Sequence, residues 1–308
     1  MSTVTLVESA KLAQDELVAG LIENVVTVNQ LYEIMPFAGI AGNSIAYNRE
    51  NALGDVQMLG VGGTITAKAP ATFTKVNSNL TTIIGDAEVN GLIQETRSEE
   101  TDQTATQVAS KVKSAARKFQ DQMVNGDGTG DNMTGLLGLV SGSQTIGANA
   151  GAANGAVMTF DDLDALIDLV TDKDGQVDYL MMHARQIRKY YALLRGLGGA
   201  SIGDVITLPS GKTMPAYRGI PIVRNDYIPI TQTKGTSTNA TTIFAGTFDD
   251  GSHKHGISGL TARRAAGLRV KAVGEKETAD ETITRVVWYV GLACFSQLGL
   301  AALNGVTG

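Results

Sequence analysis

The stretch of sequence that decides the fold is DQTATQVASKVKSAARKFQDQMVNGDGTGDN, at residues 102–132. Its apolar side chains recur at steps of three and four from Ala105 to Met123, with cations elsewhere on the surface, so an amphipathic helix is predicted over residues 102–124. Such a helix is about 35 Å long. The pair Asn125-Gly126 is typical of a helix C-terminus. The apolar stripe predicts close packing of this helix against a sheet or another helix.

Two segments upstream of this helix have little chain around them to bury an apolar face. Residues 1–35 carry leucines and valines near helical spacing and end at Pro36, which predicts an amphipathic arm that packs on its own domain or equally on a neighbour. Residues 43–75 alternate at both ends, including Thr64–Lys68, around a glycine-rich centre. They predict a long projecting hairpin, polar on both faces and poor in core residues. Because such a ribbon is marginal alone, we expect support from outside the chain.

An α/β region is predicted after the polar linker of residues 141–155. Thr159 followed by Asp162 indicates a capping box at the start of a helix. Further along, we expect strands at 179–182, 219–223, 242–245 and 268–273, and a helix at 185–194. The apolar run at 284–295 predicts a long strand that returns to pack beside the helix of residues 102–124. The chain is therefore expected to leave one domain, build another and come back.

The composition is that of a folded globular protein and disfavours several functional classes. Of 308 residues, 43% are hydrophobic and 18% charged, and the formal net charge is −6. A nucleic-acid reader needs a concentrated basic face, whereas an acidic balance suits a wall that does not bind its contents. The single cysteine, Cys294, lies in an apolar run, which excludes an intrachain disulfide and predicts a buried side chain. No signal peptide or membrane span is recognised, so we expect a soluble protein.

Two glycine-containing motifs resemble catalytic or binding loops. The run at residues 125–132 lacks the Lys-Ser/Thr ending of a phosphate loop and the closing Glu of a calcium loop, so a helix stop and turn is favoured over an ion site. The G-x-S-x-G pattern around Ser201 follows a predicted helix rather than a strand, which disfavours a hydrolase.

The histidines give only a weak indication of chemistry. His253 and His255 beside Asp249 and Asp250 form a metal-site candidate in a glycine-bounded loop, whereas His183 is interpreted as a structural hydrogen-bonding residue. No paired carboxylates, cofactor fingerprint or basic–aromatic patch is found. The sequence therefore predicts no enzyme activity, no cofactor and no metal.

The order of parts, namely arm, hairpin, long helix, α/β domain and returning strand, resembles the tailed-bacteriophage major capsid proteins with the fold named after phage Hong Kong 97. Four local matches carry the resemblance, and they span almost the whole chain in the order of that family. They are residues 47–51 (base of the extended loop), 125–132 with 135–136 (turn after the spine helix), 217–222 (axial strand) and 288–293 (closing strand).

The resemblance implies an α+β fold with five parts. These are an N-terminal arm (1–40), an extended loop (41–76), a peripheral domain with the spine helix (77–135), an axial domain (136–260) and closing strands that return to the peripheral domain (261–308). It implies a structural protein that forms hexamers and pentamers of an icosahedral head around double-stranded DNA, without sequence-specific contact to that DNA. A separate scaffolding protein and a portal are the implied partners, assembly in the bacterial cytoplasm is implied, and the alternative is an encapsulin-type compartment shell.

The sequence departs from the type member of that family in its crosslinking residues. Lys68 and Lys75 match the loop lysines, but the closing strand at 285–291 has neither the asparagine nor the acid that such a crosslink requires. We therefore expect no covalent link between subunits. As charged subunit-contact candidates the sequence offers Arg49 and Glu50 at the base of the loop, Lys68 on its return, and Glu99 and Glu100 before the spine helix.

Overall fold

The computed structural model describes residues 34–97, 103–173, 175–196, 205–208, 211 and 213–308. The strands in these ranges are β1 Phe37–Ile40, β2 Ser44–Ala52, β3 Thr72–Asn79, β4 Thr81–Asn90, β5 Thr145–Gly147, β6 Ala156–Val157, β7 Tyr179–Met182, β8 Val205–Thr207, β9 Thr213–Tyr217, β10 Ile220–Arg224, β11 Gln232–Lys234, β12 Ser237–Gly246, β13 Ile257–Ala262, β14 Leu268–Glu275, β15 Glu281–Cys294 and β16 Leu300–Thr307. The helices are α1 Gly91–Arg97, α2 Gln103–Asn125, α3 Leu136–Leu139, α4 Phe160–Thr171 and α5 Ala184–Gly196, with a 3₁₀ turn at Gly142–Gln144 and a helical turn at Ala148–Gly151.

A five-stranded sheet combines strands from both ends of the described chain. β15 pairs with β4 along one side and with β14 and β13 along the other, and β1 adds to β13. The long helix α2 packs on this sheet: Val108, Val112, Phe119 and Met123 are fully buried, and the Phe119 ring lies 4.8 Å from that of Trp288 on β15. Both the predicted helix and the predicted return of the apolar strand beside it are therefore confirmed.

A nine-stranded sheet forms the second layer, in the order β5-β16-β12-β7-β10-β9-β8, with β6 on β16 and β11 on β12. Apolar side chains of α4 and α5, such as Leu166 and Tyr190, pack with those of β7 and β12 in one core. The predicted capping box is confirmed, since Thr159 Oγ1 accepts from Asp162 N and the Asp162 carboxylate accepts from Thr159 N.

The closing segment differs from its expected course. β14 and β15 lie in the five-stranded sheet as expected, but β16 pairs with β12 in the nine-stranded sheet. The cause is the short apolar run at Leu300–Leu303, which is buried throughout and fills a central position between β5 and β12. The five-part division of the chain stays a prediction, with residues 261–308 shared between the two sheets.

The hairpin of β2 and β3 forms a separate two-stranded sheet. Its predicted outline is present, but the expected strand at Thr64–Lys68 is irregular, and regular pairing resumes only at Thr72. Alternation alone did not make a strand there because no facing strand supplies a ladder of hydrogen bonds. The predicted arm falls outside the described residues up to position 33. From that point, Met35 is buried and the Phe37 ring lies 6.0 Å from that of Phe119.

Candidate assembly surfaces

The segment between β2 and β3 exposes an unusual amount of apolar surface. Seven large apolar side chains are solvent-exposed within it or at its end: Leu53, Val56, Met58, Leu59, Val61, Ile65 and Phe73. Met58 and Val61 are fully exposed. The sequence interpretation of this ribbon as polar on both faces is therefore wrong for residues 53–65 and for Phe73. Contiguous exposed apolar side chains of this kind mark an interaction site or an aggregation hazard.

The base of the hairpin is fixed to the end of β15. Tyr47 Oη donates to the Cys294 carbonyl at 2.8 Å, and Arg49 Nη2 donates to the same carbonyl at 2.6 Å. Arg49 Nε also reaches the Phe295 carbonyl at 3.4 Å, and the Tyr47 and Phe295 rings meet edge to face at 5.0 Å. The outward direction of the loop is therefore set by contacts 245 to 247 residues apart in sequence.

The five charged contact candidates are placed as follows. Arg49 is engaged within its own chain, as just described, whereas Glu50 and Lys68 are exposed and form no ion pair with any described residue. Glu99 and Glu100 lie outside the described residues. Among the three described candidates no ion pair joins one to another, and contact between Lys68 and those two glutamates stays a proposal about neighbours.

The five-stranded sheet carries an ion pair that the sequence did not indicate. Arg285 on β15 donates from Nε and Nη2 to the two carboxylate oxygens of Asp86 on β4, at 2.7 and 2.8 Å. The hydrogen bond from Arg285 holds the pKa of Asp86 below its usual value. Closer to the turn between β14 and β15, Lys276 lies 3.0 Å from Glu281 and 3.3 Å from Glu88. These pairs join β4 to the β14–β15 hairpin.

The acidic turn after α2 is organised by a carboxylate. Asp127 accepts hydrogen bonds from Thr129 N, Thr129 Oγ1 and Asn132 Nδ2, and these bonds lower its pKa to about 2. Gly128 and Gly130 have φ of +69° and +58°, which a side chain would disfavour. The interpretation of residues 125–132 as a helix stop and turn is confirmed.

The remaining motifs occupy structural positions. His253 Nδ1 lies 3.4 Å from the buried carboxylate of Asp249, and His183 Nδ1 accepts from Arg185 N at 3.0 Å. No group of three or more His, Cys, Asp and Glu side chains placed to hold a metal is found in the described ranges. The G-x-S-x-G pattern around Ser201 lies outside those ranges. No helix among the described residues is long and apolar enough to cross a membrane.

Cys294 is buried, as predicted, and its carbonyl rather than its thiol carries the contacts of the hairpin base. Burial raises the pKa of the Cys294 thiol to about 11, and Sγ donates to the Ser296 carbonyl at 3.2 Å. The thiol is therefore protonated at neutral pH and acts as a small apolar side chain.

Comparison with known proteins places these features in one fold. Residues 80–307 match the family model described as "Type 2A encapsulin shell protein SrpI-like". Among solved structures, the holo-SrpI encapsulin complex from Synechococcus elongatus PCC 7942 superposes with a TM-score of 0.70, at 18% identity over 90% of this chain and 87% of that chain. No curated protein sequence matches the chain.

Phage and archaeal particles share the same architecture. The structure described as Microbacterium phage Oxtober96 has a TM-score of 0.60, at 15% identity over 91% of both chains. A virus-like particle from Pyrococcus furiosus has a TM-score of 0.56, at 9% identity over 94% of this chain and 99% of that chain. The predicted Hong Kong 97-type capsid fold is confirmed, while identities this low carry no more than the fold.

Proposed function

Because the chain belongs to the SrpI-like family of type 2A encapsulin shell proteins, we propose that it assembles into the shell of a compartment that encloses protein cargo. The observation that carries the proposal is the family match, which runs from β4 to the end of β16. This reading favours the alternative over the phage head that the sequence first suggested. A shell protein of this kind has a structural role, so no reaction is assigned to it.

The exposed loop supports self-assembly as the role of the fold. In a single subunit, residues 53–65 leave large apolar side chains in water, at a cost of roughly 25 cal/mol for each Å² that a neighbour would cover. Repeated around a closed shell, many small contacts of this kind act together. The loop is therefore proposed to rest on an adjacent copy, with Lys68 facing the acidic stretch that contains Glu99 and Glu100.

The head of a tailed phage is the second candidate function. It is favoured by the phage capsids that superpose along nearly the whole chain, such as the Microbacterium and Mycobacterium phage structures with TM-scores of 0.60 and 0.59. In that case the partners would be a scaffolding protein, a portal and packaged double-stranded DNA.

Expression of this chain alone separates the two candidates. A compartment shell is expected to form uniform closed particles in electron micrographs without a helper protein and without nuclease-resistant DNA. A phage head would require a second, helical protein for correctly sized shells. A folded monomer under all assembly conditions would contradict both.

A further inference from the structure

In the extended loop between β2 and β3, a single side chain takes the place of backbone hydrogen bonds between the two arms. Between β2 and β3, residues 53–71 have two backbone hydrogen bonds of their own, from Asp55 N to Ala69 O and from Gly63 N to Gly60 O, both at 3.0 Å. The first closes the base of the loop, and the second makes the turn at its tip. The stretch between them has no backbone pairing, so its two arms need another connection.

Gln57 supplies that connection with both ends of its amide. Gln57 Oε1 accepts from Thr66 N, Thr66 Oγ1 and Ala67 N, each at 2.7 Å, and Nε2 donates to the Thr64 carbonyl at 3.0 Å. One side chain thus contacts three residues of the returning arm, Thr64, Thr66 and Ala67, which lie on both sides of Ile65. No other side chain in the loop spans the two arms in this way among the described contacts.

The apolar side chains of the loop stand directly beside these hydrogen bonds. Val56 and Met58 flank Gln57 in the outgoing arm, and Ile65 lies between two of its partners in the returning arm. All three are exposed, so their own packing does not hold them in place. Their positions depend on the backbone that Gln57 fixes.

We propose that Gln57 is a positioning residue for assembly, which orders the apolar part of the loop before it meets a neighbouring copy. The inference rests on the proposed shell function and adds the residue on which docking depends. A loop that is already ordered loses little conformational freedom on binding, whereas a loose loop must lose it at the moment of contact. Because the four hydrogen bonds are exposed, the folded subunit itself gains little from them.

Three full-length variants test the proposal. Gln57→Ala removes the four hydrogen bonds of the Gln57 side chain, which we call the latch. Gln107→Ala on the exposed face of α2 is the matched control. Gln57→Glu keeps an acceptor for Thr66 and Ala67 but sets a second oxygen against the Thr64 carbonyl, and only the protonated acid can donate to that carbonyl. The measurements are thermal unfolding, hydrogen exchange of the Thr66 and Ala67 amides in unassembled subunits, and light scattering during shell formation.

In Gln57→Ala we expect at least about tenfold faster exchange of both amides and at least about tenfold slower assembly, with an unchanged midpoint of thermal unfolding. In Gln57→Glu, assembly relative to the native protein should recover as the pH falls toward about 4.3, the ordinary pKa of a glutamate. Gln107→Ala should match the native protein in all three measurements.

Unchanged amide exchange in Gln57→Ala would overturn the latch. Faster exchange with native assembly kinetics would overturn its positioning role. Normal shells from a chain that lacks residues 53–71 would instead contradict the proposed assembly role of the loop, and the exchange rates would still decide whether the latch exists.

Discussion

Arg49 and Arg285 show how two guanidinium groups serve one strand in different ways. Arg285 forms a two-pronged pair with Asp86 across the β4–β15 ladder, whereas Arg49 donates to the main-chain carbonyls of Cys294 and Phe295, where β15 ends. The sequence could not reveal either partner, because both depend on the register of strands about 200 or more residues apart. The Thr159–Asp162 capping box was readable, since its two members are three residues apart.

The Asp86–Arg285 pair should give a measurable, pH-dependent contribution. Both side chains are about a third exposed, so we expect Asp86→Asn to cost about 0.5–1 kcal/mol at pH 7. The pKa of Asp86 is lowered in the folded state, so this contribution is complete above about pH 4 and is lost as the pH falls through the folded pKa. Denaturant unfolding at pH 7 and pH 3 checks this, with Glu50→Gln as the control, because Glu50 is exposed and forms no ion pair with any described residue. A cost as large at pH 3 as at pH 7 would contradict the ion-pair account.

Cys294 should be chemically silent until the subunit unfolds. Its thiol is buried and its pKa is raised to about 11, so little thiolate is present at pH 8. Labelling with a thiol reagent should therefore follow global unfolding, and its rate should rise with denaturant in step with the loss of structure. Rapid stoichiometric labelling of native protein would show that this end of β15 opens locally.

At the scale of elements, a segment that makes its own hydrogen bonds could be predicted from its periodicity. A segment that is held by a side chain from elsewhere in the chain could not. Helix α2 was read from its apolar stripe because a helix makes its hydrogen bonds within itself. The segment Thr64–Lys68 alternates like a strand but has no ladder, and Gln57 holds it instead. A side chain that substitutes for backbone pairing leaves no periodic signal in the sequence.

Substitutions at the base of the extended loop and on its returning arm should have different effects on stability and on assembly. Arg49→Ala removes hydrogen bonds to half-buried carbonyls and is expected to destabilise the isolated subunit by about 1–2 kcal/mol. Lys68→Glu changes an exposed residue and should leave thermal unfolding unchanged while making assembly slower and more sensitive to salt. Paired unfolding and light-scattering measurements check both variants. If Arg49→Ala blocked assembly without loss of stability, Arg49 would be a subunit contact, as the sequence first suggested.

At the scale of the whole molecule, the two sheets are interleaved along the chain, and only part of that order was predictable. The return of β15 to α2 could be predicted because its apolar side chains must be buried against another element. The pairing of β16 in the second sheet could not be predicted. Nothing in the run Leu300–Leu303 distinguishes one sheet from the other, because burial on both faces suits a central strand of either.

Particles built from this chain should carry no covalent links between copies. Residues 285–291 of β15 contain neither the asparagine nor the acid of a lysine–asparagine crosslink, and Arg285 is already paired with Asp86. Particles boiled in detergent should give a single band near 32.2 kDa. A ladder of larger species that resists reductant would contradict this, and Asn304, whose buried Oδ1 has no partner in the described structure, would then be the residue to replace.

The position of β16 also determines when the nine-stranded sheet can fold during synthesis of the chain. β5, β7 and β12 emerge from the ribosome well before β16, yet β16 separates β5 from β12 in the finished sheet. β4 likewise waits for β15, whose paired residues follow about 200 positions later. Neither sheet can therefore close on a nascent chain until β15 and β16 have been synthesised. Incomplete chains are therefore expected to lack an anchored loop base, because Tyr47 and Arg49 have no Cys294 carbonyl to bind until β15 has been synthesised.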